Sequence, residues 1–379
     1  MAGNDKPEDG FRDPARLRAD QLAWLKGCQI LAPGRDADGA IRNYPDQGAV
    51  NPYFANFAAL ALLEDPASAP LARRYLDWYG RHIEDDGTIR DHEYGPGGAS
   101  TSRPDSEDAY AGTFLSLAAR YHQICPEDPW VRDNLPVLRK VAGVVTRLMD
   151  ADGLTIAMAT RKVKYLMDNC ESYRGLADFA GLVPGDEAPY FRGRARLIRD
   201  GVERVLWNPR RGVYLPSKGG WSLFRTNWGR FYPDAACQAF PSLYGLIDPS
   251  SPRAFRLYRD FNRHQPGWTR IQPPDFPWVI LAYWAARQGA WAAVREKLFQ
   301  VQHAYIDAGA GSWLCAEAAF FILACSRLLG ASPPQNIGPG RSNKEFFPAR
   351  AKNIGGDFTP KEMIICRGRS SPSWTRPFP

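Results

Sequence analysis

Carboxyl side chains and aromatic rings recur at the starts of several apolar segments, and they are the residues of this chain best suited to chemistry. The densest example is the run DSEDAYAGTFLSLAARY, in which Asp105, Glu107, Asp108 and Tyr110 precede a body that is apolar on nearly all sides. A helix without a polar stripe is covered on both sides. Because carboxylates are not left unpartnered in apolar surroundings, we expect the acidic start of this helix to open onto a cavity or a rim.

Other apolar segments begin with comparable polar groups. The candidate catalytic carboxyl groups are Asp108, Asp168, Glu171, Asp234 and Glu317. The candidate substrate-binding residues are Asp46, His92, Tyr110, Tyr173, Trp221, Trp228, Gln238, Asp275 and Trp313. Two carboxyl groups across a cleft, one a protonated acid and the other a base or nucleophile, are the usual apparatus of glycoside hydrolysis. Aromatic faces beside carboxylates and amides suit a sugar ring, which is apolar on its faces and polar at its edge.

Helix capping is the competing explanation for these acids. Asp is a common N-cap, and acids in a first turn favour the helix dipole. Asp168 and Glu171 have the spacing of a capping box. Glu317 is harder to explain in this way, because it lies inside the apolar run WLCAEAAFFILA, where a carboxylate needs a partner or must be neutral. A buried arginine would be its structural partner.

Two kinds of predicted helix alternate along the chain. Amphipathic segments, with apolar residues at a spacing near that of a helix turn, are 14–31, 70–83, 131–149, 190–206, 253–264 and 292–306. Alanine-rich segments that are apolar on most sides are 52–63, 109–121, 165–183, 235–247, 277–288 and 313–329. The pattern predicts six outer and six inner helices.

The turns between these helices also repeat. DADGAIRNY, EDDGTIRDHEY, DADGLTIAM and NPRRGVYLP each place Gly before a short β-branched or aromatic piece, which favours a turn followed by an extended segment. The repeat recurs at roughly 45 to 65 residues, as in an array of supersecondary units that share one core. Six hairpins with buried inner members close most simply as an all-α (α/α)6 toroid, and the starts of its inner helices converge on one face.

Composition excludes several other classes of function. The chain has 379 residues and a net charge of +7, of which +5 belongs to residues 331–379. A nucleic-acid-binding domain would carry the excess on its folded part, so we expect no nucleic-acid partner. The seven cysteines are scattered without C-x-x-C pairs, which predicts reduced thiols, no metal site and no cofactor. No apolar run is long enough to span a membrane.

The predicted organisation is an N-terminal extension over residues 1–13, the toroid over 14–330 and a disordered or extended basic tail over 331–379. We hypothesise that the tail, which is rich in Pro, Gly and Ser, is not part of the functional fold. The N-terminus lacks the apolar core of a secretory signal, which predicts a cytoplasmic protein unless a leader was removed. The pattern does not predict the oligomeric state.

The chain resembles the six-hairpin glycosidase-like proteins of the (α/α)6 toroid class. The resemblance is most specific at YPDQGAVNPYFANFAALALL, RPDSEDAYAGTFLSLA, MDNCESYRGLADFAGL and SWLCAEAAFF. Several of these segments look like those of a largely uncharacterised bacterial branch. The resemblance implies that rim carboxylates of inner helices are catalytic, most readily Asp108, with Asp168, Glu171, Asp234 or Glu317 as its partner. Asp46 lies where some members of the class place a glutamic acid.

The expected function is therefore hydrolysis of an oligo- or polysaccharide, including uronate-containing ones. One alternative is a lyase that uses Tyr110 or Tyr173. Another is a sugar epimerase, although the class uses inner-helix histidines for that chemistry and only His92 could reach the rim. A third is a toroid that binds carbohydrate or acts as a scaffold without turnover.

Overall fold

Two concentric layers of helices make up the chain in the computed structural model, which describes residues 10–219 and 225–331. The outer helices are α1 (Pro14–Cys28), α3 (Ala69–His82), α6 (Leu135–Arg147), α8 (Ala188–Gly201), α10 (Pro252–His264) and α12 (Trp291–Val301). The inner helices are α2 (Pro52–Leu62), α4 (Glu107–Ile124), α7 (Leu166–Phe179), α9 (Phe240–Leu243), α11 (Ile280–Arg287) and α13 (Cys315–Gly330). A short helix, α5 (Trp130–Asp133), precedes α6.

The inner helices close into a ring. Each packs against the next one in the series, and the last, α13, packs against α2 as well as against the outer helix α1. The core between the two layers contains fully buried aromatic side chains such as Trp78, Trp130 and Trp284. The predicted (α/α)6 toroid is therefore confirmed, because only a closed ring brings the first and last inner helices into contact.

The fourth inner helix differs from the prediction of a continuous helix over 235–247. It begins with a π-helical turn, Phe231–Ala235, continues as a 3-10 turn, Ala236–Ala239, and has one regular turn, α9. Pro233 and Pro241 lie within this stretch. Each removes a backbone donor and crowds the preceding turn, so a regular α-helix cannot run through both positions.

Short strands connect several helices on the face where the inner helices begin. A three-stranded antiparallel sheet joins β1 (Ala49–Val50), β2 (Asp91–Gly95) and β3 (Gly98–Ser102), with Val50 opposite His92 and Glu93 opposite Ser100. β4 (Lys164–Tyr165) pairs with β7 (Ser217–Lys218), and β5 (Trp207–Asn208) with β6 (Val213–Tyr214). The extended pieces were predicted, whereas the hairpin of β2 and β3 was not.

Helices α4 and α7 approach each other most closely at two glycines. A Cβ on Gly112 would lie 2.8 Å from the carbonyl oxygen of Glu171, and one on Gly175 would lie 2.3 Å from the carbonyl oxygen of Gly112. At these distances a Cβ atom would overlap the backbone oxygen, and the packed interior leaves no room for the two helices to move apart. The absence of side chains at these two positions therefore brings the acidic first turns of both helices together.

The N-terminal extension is described from Gly10 onward, and part of it packs on the ring. Phe11 contacts the ring of Phe299, and Arg12 forms an ion pair with Asp307 at 2.5 Å. The predicted tail, residues 331–379, lies outside the described residues except for Ala331. Of the helices in the described ranges, none is both long and apolar enough to cross a bilayer.

Candidate active site

Five carboxyl groups gather where α4, α7 and the β2 strand meet. Asp91 is the first residue of β2, Asp105 precedes α4, Asp108 lies in the first turn of α4, and Asp168 and Glu171 lie in the first two turns of α7. Burial raises the pKa of every one of them. In the part of the chain that the structure describes, their hydrogen-bond donors are hydroxyl, amide and backbone groups rather than Lys or Arg ion-pair partners.

Asp91 and Asp105 flank the hydroxyl of Tyr110. Asp91 Oδ1 accepts hydrogen bonds from Tyr110 Oη at 3.0 Å and from Asn51 Nδ2 at 3.2 Å. Burial, together with the charge of Asp105, raises the pKa of Asp91 from 3.8 to about 7. Burial also raises the pKa of Asp105, but there the charge of Arg161 acts against the rise. Of these two carboxyl groups, Asp105 is thus the one with a nearby cation that favours its ionised form.

Ser106 joins Asp108 to Asp168. Its Oγ lies 2.7 Å from Asp108 Oδ1 and 2.6 Å from Asp168 Oδ2. A hydroxyl has only one proton to donate, so Ser106 serves the two carboxyl groups in turn. Burial and the charge of Asp108 raise the pKa of Asp168 well above its ordinary value, so Asp168 is the group of the pair that favours its protonated form.

Asp108 itself is enclosed. Its side chain is 0% exposed, and Thr155 Oγ1 donates to Oδ2 at 2.5 Å while the Ala109 N–H donates to Oδ1 at 2.9 Å. Burial raises its pKa to about 6, and the donors from Thr155, Ser106 and the backbone oppose the rise. Both oxygens are therefore occupied by protein donors, and Asp108 reaches the cluster through Ser106 and not through open space.

Glu171 is hydrogen-bonded to tyrosines from two other parts of the inner layer. Tyr53 and Tyr244 donate to its Oε1 at 2.8 and 2.9 Å, and Oε2 is buried without a hydrogen-bond partner. Burial and the charge of Asp168 raise its pKa well above the ordinary value. Since Asp168 and Glu171 lie at the third and sixth positions of α7, they do not form the capping box that their spacing predicts.

Aromatic rings line the acidic cluster. Tyr53 stacks on Tyr110 with 5.8 Å between ring centroids, and Tyr232 lies 5.0 Å from Trp278. The charges of Asp168 and Asp105, after burial, raise the pKa of Tyr232, which places that ring near both acids. Trp278 has a φ of 54°, a conformation rare for a large side chain. Such outliers are concentrated at functional sites.

Glu317 maintains this conformation and does not contact an arginine. Its Oε2 accepts a hydrogen bond from the N–H of Val279, the residue after Trp278, at 2.7 Å. Burial raises the pKa of Glu317 to about 7, opposed by the Val279 N–H and the charge of Lys297. Lys297 is also fully buried, and its Nζ donates to the Trp268 carbonyl at 3.2 Å. Glu317 thus holds the backbone beside Trp278, and its catalytic role stays a prediction.

Three further candidates make contacts within the fold. Asp234 is fully buried, pairs with Arg230 Nε at 2.5 Å and accepts from the Asn227 N–H at 2.7 Å. Gln238 uses its amide to bind both backbone groups of Tyr214. Trp313 donates to Gln21 Oε1 at 3.0 Å in the contact between α13 and α1. The polar atoms of all three are committed to the fold.

The remaining candidates are spread over the molecule. His92 points away from Asp91, because strand neighbours alternate, and it packs against Trp78 and His82. Trp228 stacks on His264. Tyr173 packs at the edge of the core, and the backbone carbonyl of Asp275 accepts a hydrogen bond from Tyr305. Asp46 is exposed and lies near Cys28. Trp221 lies outside the described residues.

The structure brings together Asp108, Asp168, Glu171 and Tyr110, which the sequence analysis selected, and adds Asp91, Ser106, Tyr53 and Tyr244, which it did not select. Asp91 precedes the more conspicuous His92 in RDHEY. The alternation of a strand, in which Asp91 and Glu93 face the side opposite to His92, is the signal that could have identified it. Among the described residues, no group of three or more His, Cys, Asp or Glu is arranged to hold a metal ion.

Known structures share this fold. A glycosidase variant matches with a TM-score of 0.58 and 15% identity, and a glycosidase in complex with glucose with 0.57 and 14%; each match covers 83% of this chain and 96% of the other. A rhamnosidase from Klebsiella oxytoca with rhamnose bound matches with a TM-score of 0.53 and 16% identity, over 85% of this chain and 64% of the other. Neither protein-family models nor curated protein sequences give a match.

At these identities the likeness establishes the fold. The chain has the (α/α)6 toroid fold that the sequence predicts, and it shares that fold with these glycosidases.

Proposed function

We propose that the protein is a glycoside hydrolase whose reacting groups are Asp168 and Asp105. The observation that supports this most strongly is the gathering of five carboxyl groups with raised pKa values among tyrosines at the face where the inner helices begin. Uncompensated carboxylates at such density are unfavourable for folding. Perturbed groups in this arrangement are typical of functional sites.

The two environments divide the roles. Asp168 retains its proton and acts as the general acid toward the leaving-group oxygen, while Ser106 holds its carboxyl group in place. Asp105 is the base or nucleophile, because the nearby charge of Arg161 favours its ionised form. Where the surroundings shift the pKa values of neighbouring titratable groups apart in this way, the group with the higher pKa is assigned as the acid and the other as the base. Asp108 and Glu171 act as positioning residues, because protein donors hold Asp108 on both oxygens and Glu171 on one.

A sugar substrate agrees with the aromatic lining and with two of the similar structures, a glycosidase in complex with glucose and a rhamnosidase with rhamnose bound. Tyr53 and Tyr110, and likewise Tyr232 and Trp278, form pairs of packed rings beside the carboxyl groups. The proposed substrate is therefore an oligo- or polysaccharide. Uronate-containing substrates are included, because the positive charge of Arg161 lies near Asp105 and could attract a carboxylate.

A lyase is less well supported. A tyrosine base requires an accessible phenolate, yet burial and the charges of nearby carboxylates raise the pKa values of Tyr53 and Tyr110 well above 10. An epimerase would need histidine at the site, and His92 faces Trp78 instead. A carbohydrate-binding toroid without turnover remains the second candidate, because the aromatic lining alone would serve it.

The test is to incubate the protein with neutral and uronate-containing oligosaccharides and to measure new reducing ends. Asp168→Asn and Asp105→Asn should each reduce the rate by at least about 100-fold. Asp85→Asn, at an exposed position of a turn, is the control and should not change it. Activity that persists in both site variants would refute the assignment. Ultraviolet absorbance from an unsaturated product would indicate a lyase, and sugar binding without products would indicate a binding protein.

A further inference from the structure

A cavity of about 330 Å³ lies at the mouth of the ring opposite to the acidic cluster. It is lined by the later turns of the inner helices, and its charged residues include Arg120, Arg174, Arg287 and Arg327. The volume is within the range of small-molecule sites. The proposed hydrolysis does not use this cavity, so its composition needs a separate explanation.

Two of the four guanidinium groups are neutralised by neighbours that also line the cavity. Arg174 Nε lies 2.8 Å from Asp178, and Arg120 lies 3.8 Å from Glu64. Arg287 and Arg327 have no such carboxylate partner among the described residues. Arg287 donates to the Leu243 carbonyl at 3.1 Å, and Arg327 lies over the ring of Tyr283 at 6.0 Å. The cavity therefore carries an excess of two positive charges.

Basic residues near helix ends also offset the helix dipole, and this is the ordinary explanation for them. It accounts for Arg287, which caps a backbone carbonyl, but it leaves most of the donors of both guanidinium groups unused. A guanidinium group has five N–H donors in a planar fork that matches carboxylate and phosphate oxygens. Beside them, Phe57, Tyr283 and Phe320 provide ring faces, and Ser116 provides a hydroxyl group.

We propose that this cavity binds a small anionic molecule of about the size of a monosaccharide, with Arg287 and Arg327 holding its carboxylate or phosphate group. The aromatic faces would contact the body of the ligand, and the two guanidinium groups would make charge-assisted hydrogen bonds to its anionic group. This site goes beyond the proposed hydrolysis, and its lining includes none of the five clustered carboxyl groups.

The cavity and the acidic cluster nevertheless meet at one residue. Tyr244 lines the cavity, and its hydroxyl donates to Glu171 Oε1 at 2.9 Å. A ligand seated against this ring would contact the group that orients Glu171. Binding at one mouth is thereby connected to the carboxyl groups at the other through a single hydrogen bond.

The experiment is isothermal titration of the full chain with glucuronate, glucose 6-phosphate, inorganic phosphate and glucose. We expect glucuronate or glucose 6-phosphate to bind at least about tenfold more tightly than glucose, and added salt to weaken the binding. Comparison of the two sugar anions distinguishes a carboxylate from a phosphate ligand. Phosphate alone should bind more weakly than the better sugar anion, because it makes no ring contacts.

The variant pair Arg287→Gln and Arg327→Gln should reduce the affinity for the sugar anion about tenfold or more. Arg256→Gln, which removes an exposed charge from α10, is the matched control and should leave the affinity unchanged. If the double variant does not fold, Arg327→Gln alone serves, because that side chain is exposed. Asp105→Asn should keep the anion binding, which separates this site from the acidic mouth. Equal affinity in wild type and arginine variant, or no saturable binding of either sugar anion, would overturn the proposal.

Discussion

Replacement of Asp91 by Asn should make the folded chain more stable at neutral and alkaline pH. The side chain keeps its shape, and the amide oxygen can still accept the hydrogen bonds from Tyr110 and Asn51. What the substitution removes is a negative charge that burial and the charge of Asp105 disfavour. The gain should therefore appear only where the wild-type carboxyl group would be ionised.

The magnitude follows from the pKa. That of Asp91 rises from 3.8 to about 7, and a tenfold change in proton affinity corresponds to about 1.4 kcal/mol. Between these values the folded state binds the proton more tightly than the unfolded chain, so this group's contribution to stability is complete below pH 4 and is lost as the pH rises through 7. Above pH 7 the ionised carboxylate costs about 4 kcal/mol, an upper value because the side chain is only partly enclosed.

Urea unfolding of wild type and Asp91→Asn across pH 4 to 8, roughly the range of this titration, would measure the difference directly. We expect the variant's advantage to be near zero at the acid end and to grow to between about 2 and 4 kcal/mol at the alkaline end. Asp85→Asn, which is exposed, should stay within about 0.5 kcal/mol of wild type throughout. A difference for Asp91→Asn that does not change with pH would refute the reasoning, since a lost contact has no such dependence.

Three further substitutions test other contacts of the site. Gly112→Ala should destabilise the chain by about 3 kcal/mol in urea unfolding, because its Cβ would meet the backbone of α7. Gly143→Ala is the control and should be neutral or stabilising, because its Cβ meets only the end of the Arg147 side chain. Equal effects of the two substitutions would contradict the close approach of α4 and α7. Glu317→Leu should lower the free energy of unfolding by about 1 to 3 kcal/mol, because the Val279 N–H loses its acceptor. Glu317→Gln keeps an acceptor and should lower the free energy of unfolding much less. A similar decrease in both variants would show that the charge of Glu317 matters and the hydrogen bond does not. Ser106→Ala removes a donor that lowers the pKa values of Asp168 and Asp108, so the alkaline limb of the pH profile of kcat/KM should move to higher pH, and an unmoved profile would exclude Ser106 from tuning the acid.

The periodicity of the sequence was sufficient to predict the ring. Apolar faces on Pro52–Leu62 and Cys315–Gly330 could only be covered if the first and last inner helices met. The gathering of acids at one face followed from the same closure. Pro233 and Pro241 were visible in the sequence, and their effect on the fourth inner helix was predictable from their missing donors.

The orientation of individual carboxyl groups could not be predicted. Asp108 is turned into the protein by Thr155, which is 47 residues away and has no local sequence signal. Asp91 depends on a strand pairing with Ala49–Val50 across the chain. The acceptor role of Glu317 depends on the backbone of Trp278, whose φ of 54° is set by tertiary packing. Such contacts join segments that are distant in the sequence, so they cannot be predicted from local helix or strand propensity or from the spacing of residues.

The contact between Gly112 and Gly175 has a consequence for how this protein could diversify. The separation of the carboxyl groups on the two helices is set by backbone against backbone, about one turn from the groups themselves. The loops that border the same mouth take no part in that contact. Insertions or exchanges in those loops should therefore alter which molecule is admitted while leaving the spacing of the acids unchanged, which makes the loops the natural place to engineer selectivity.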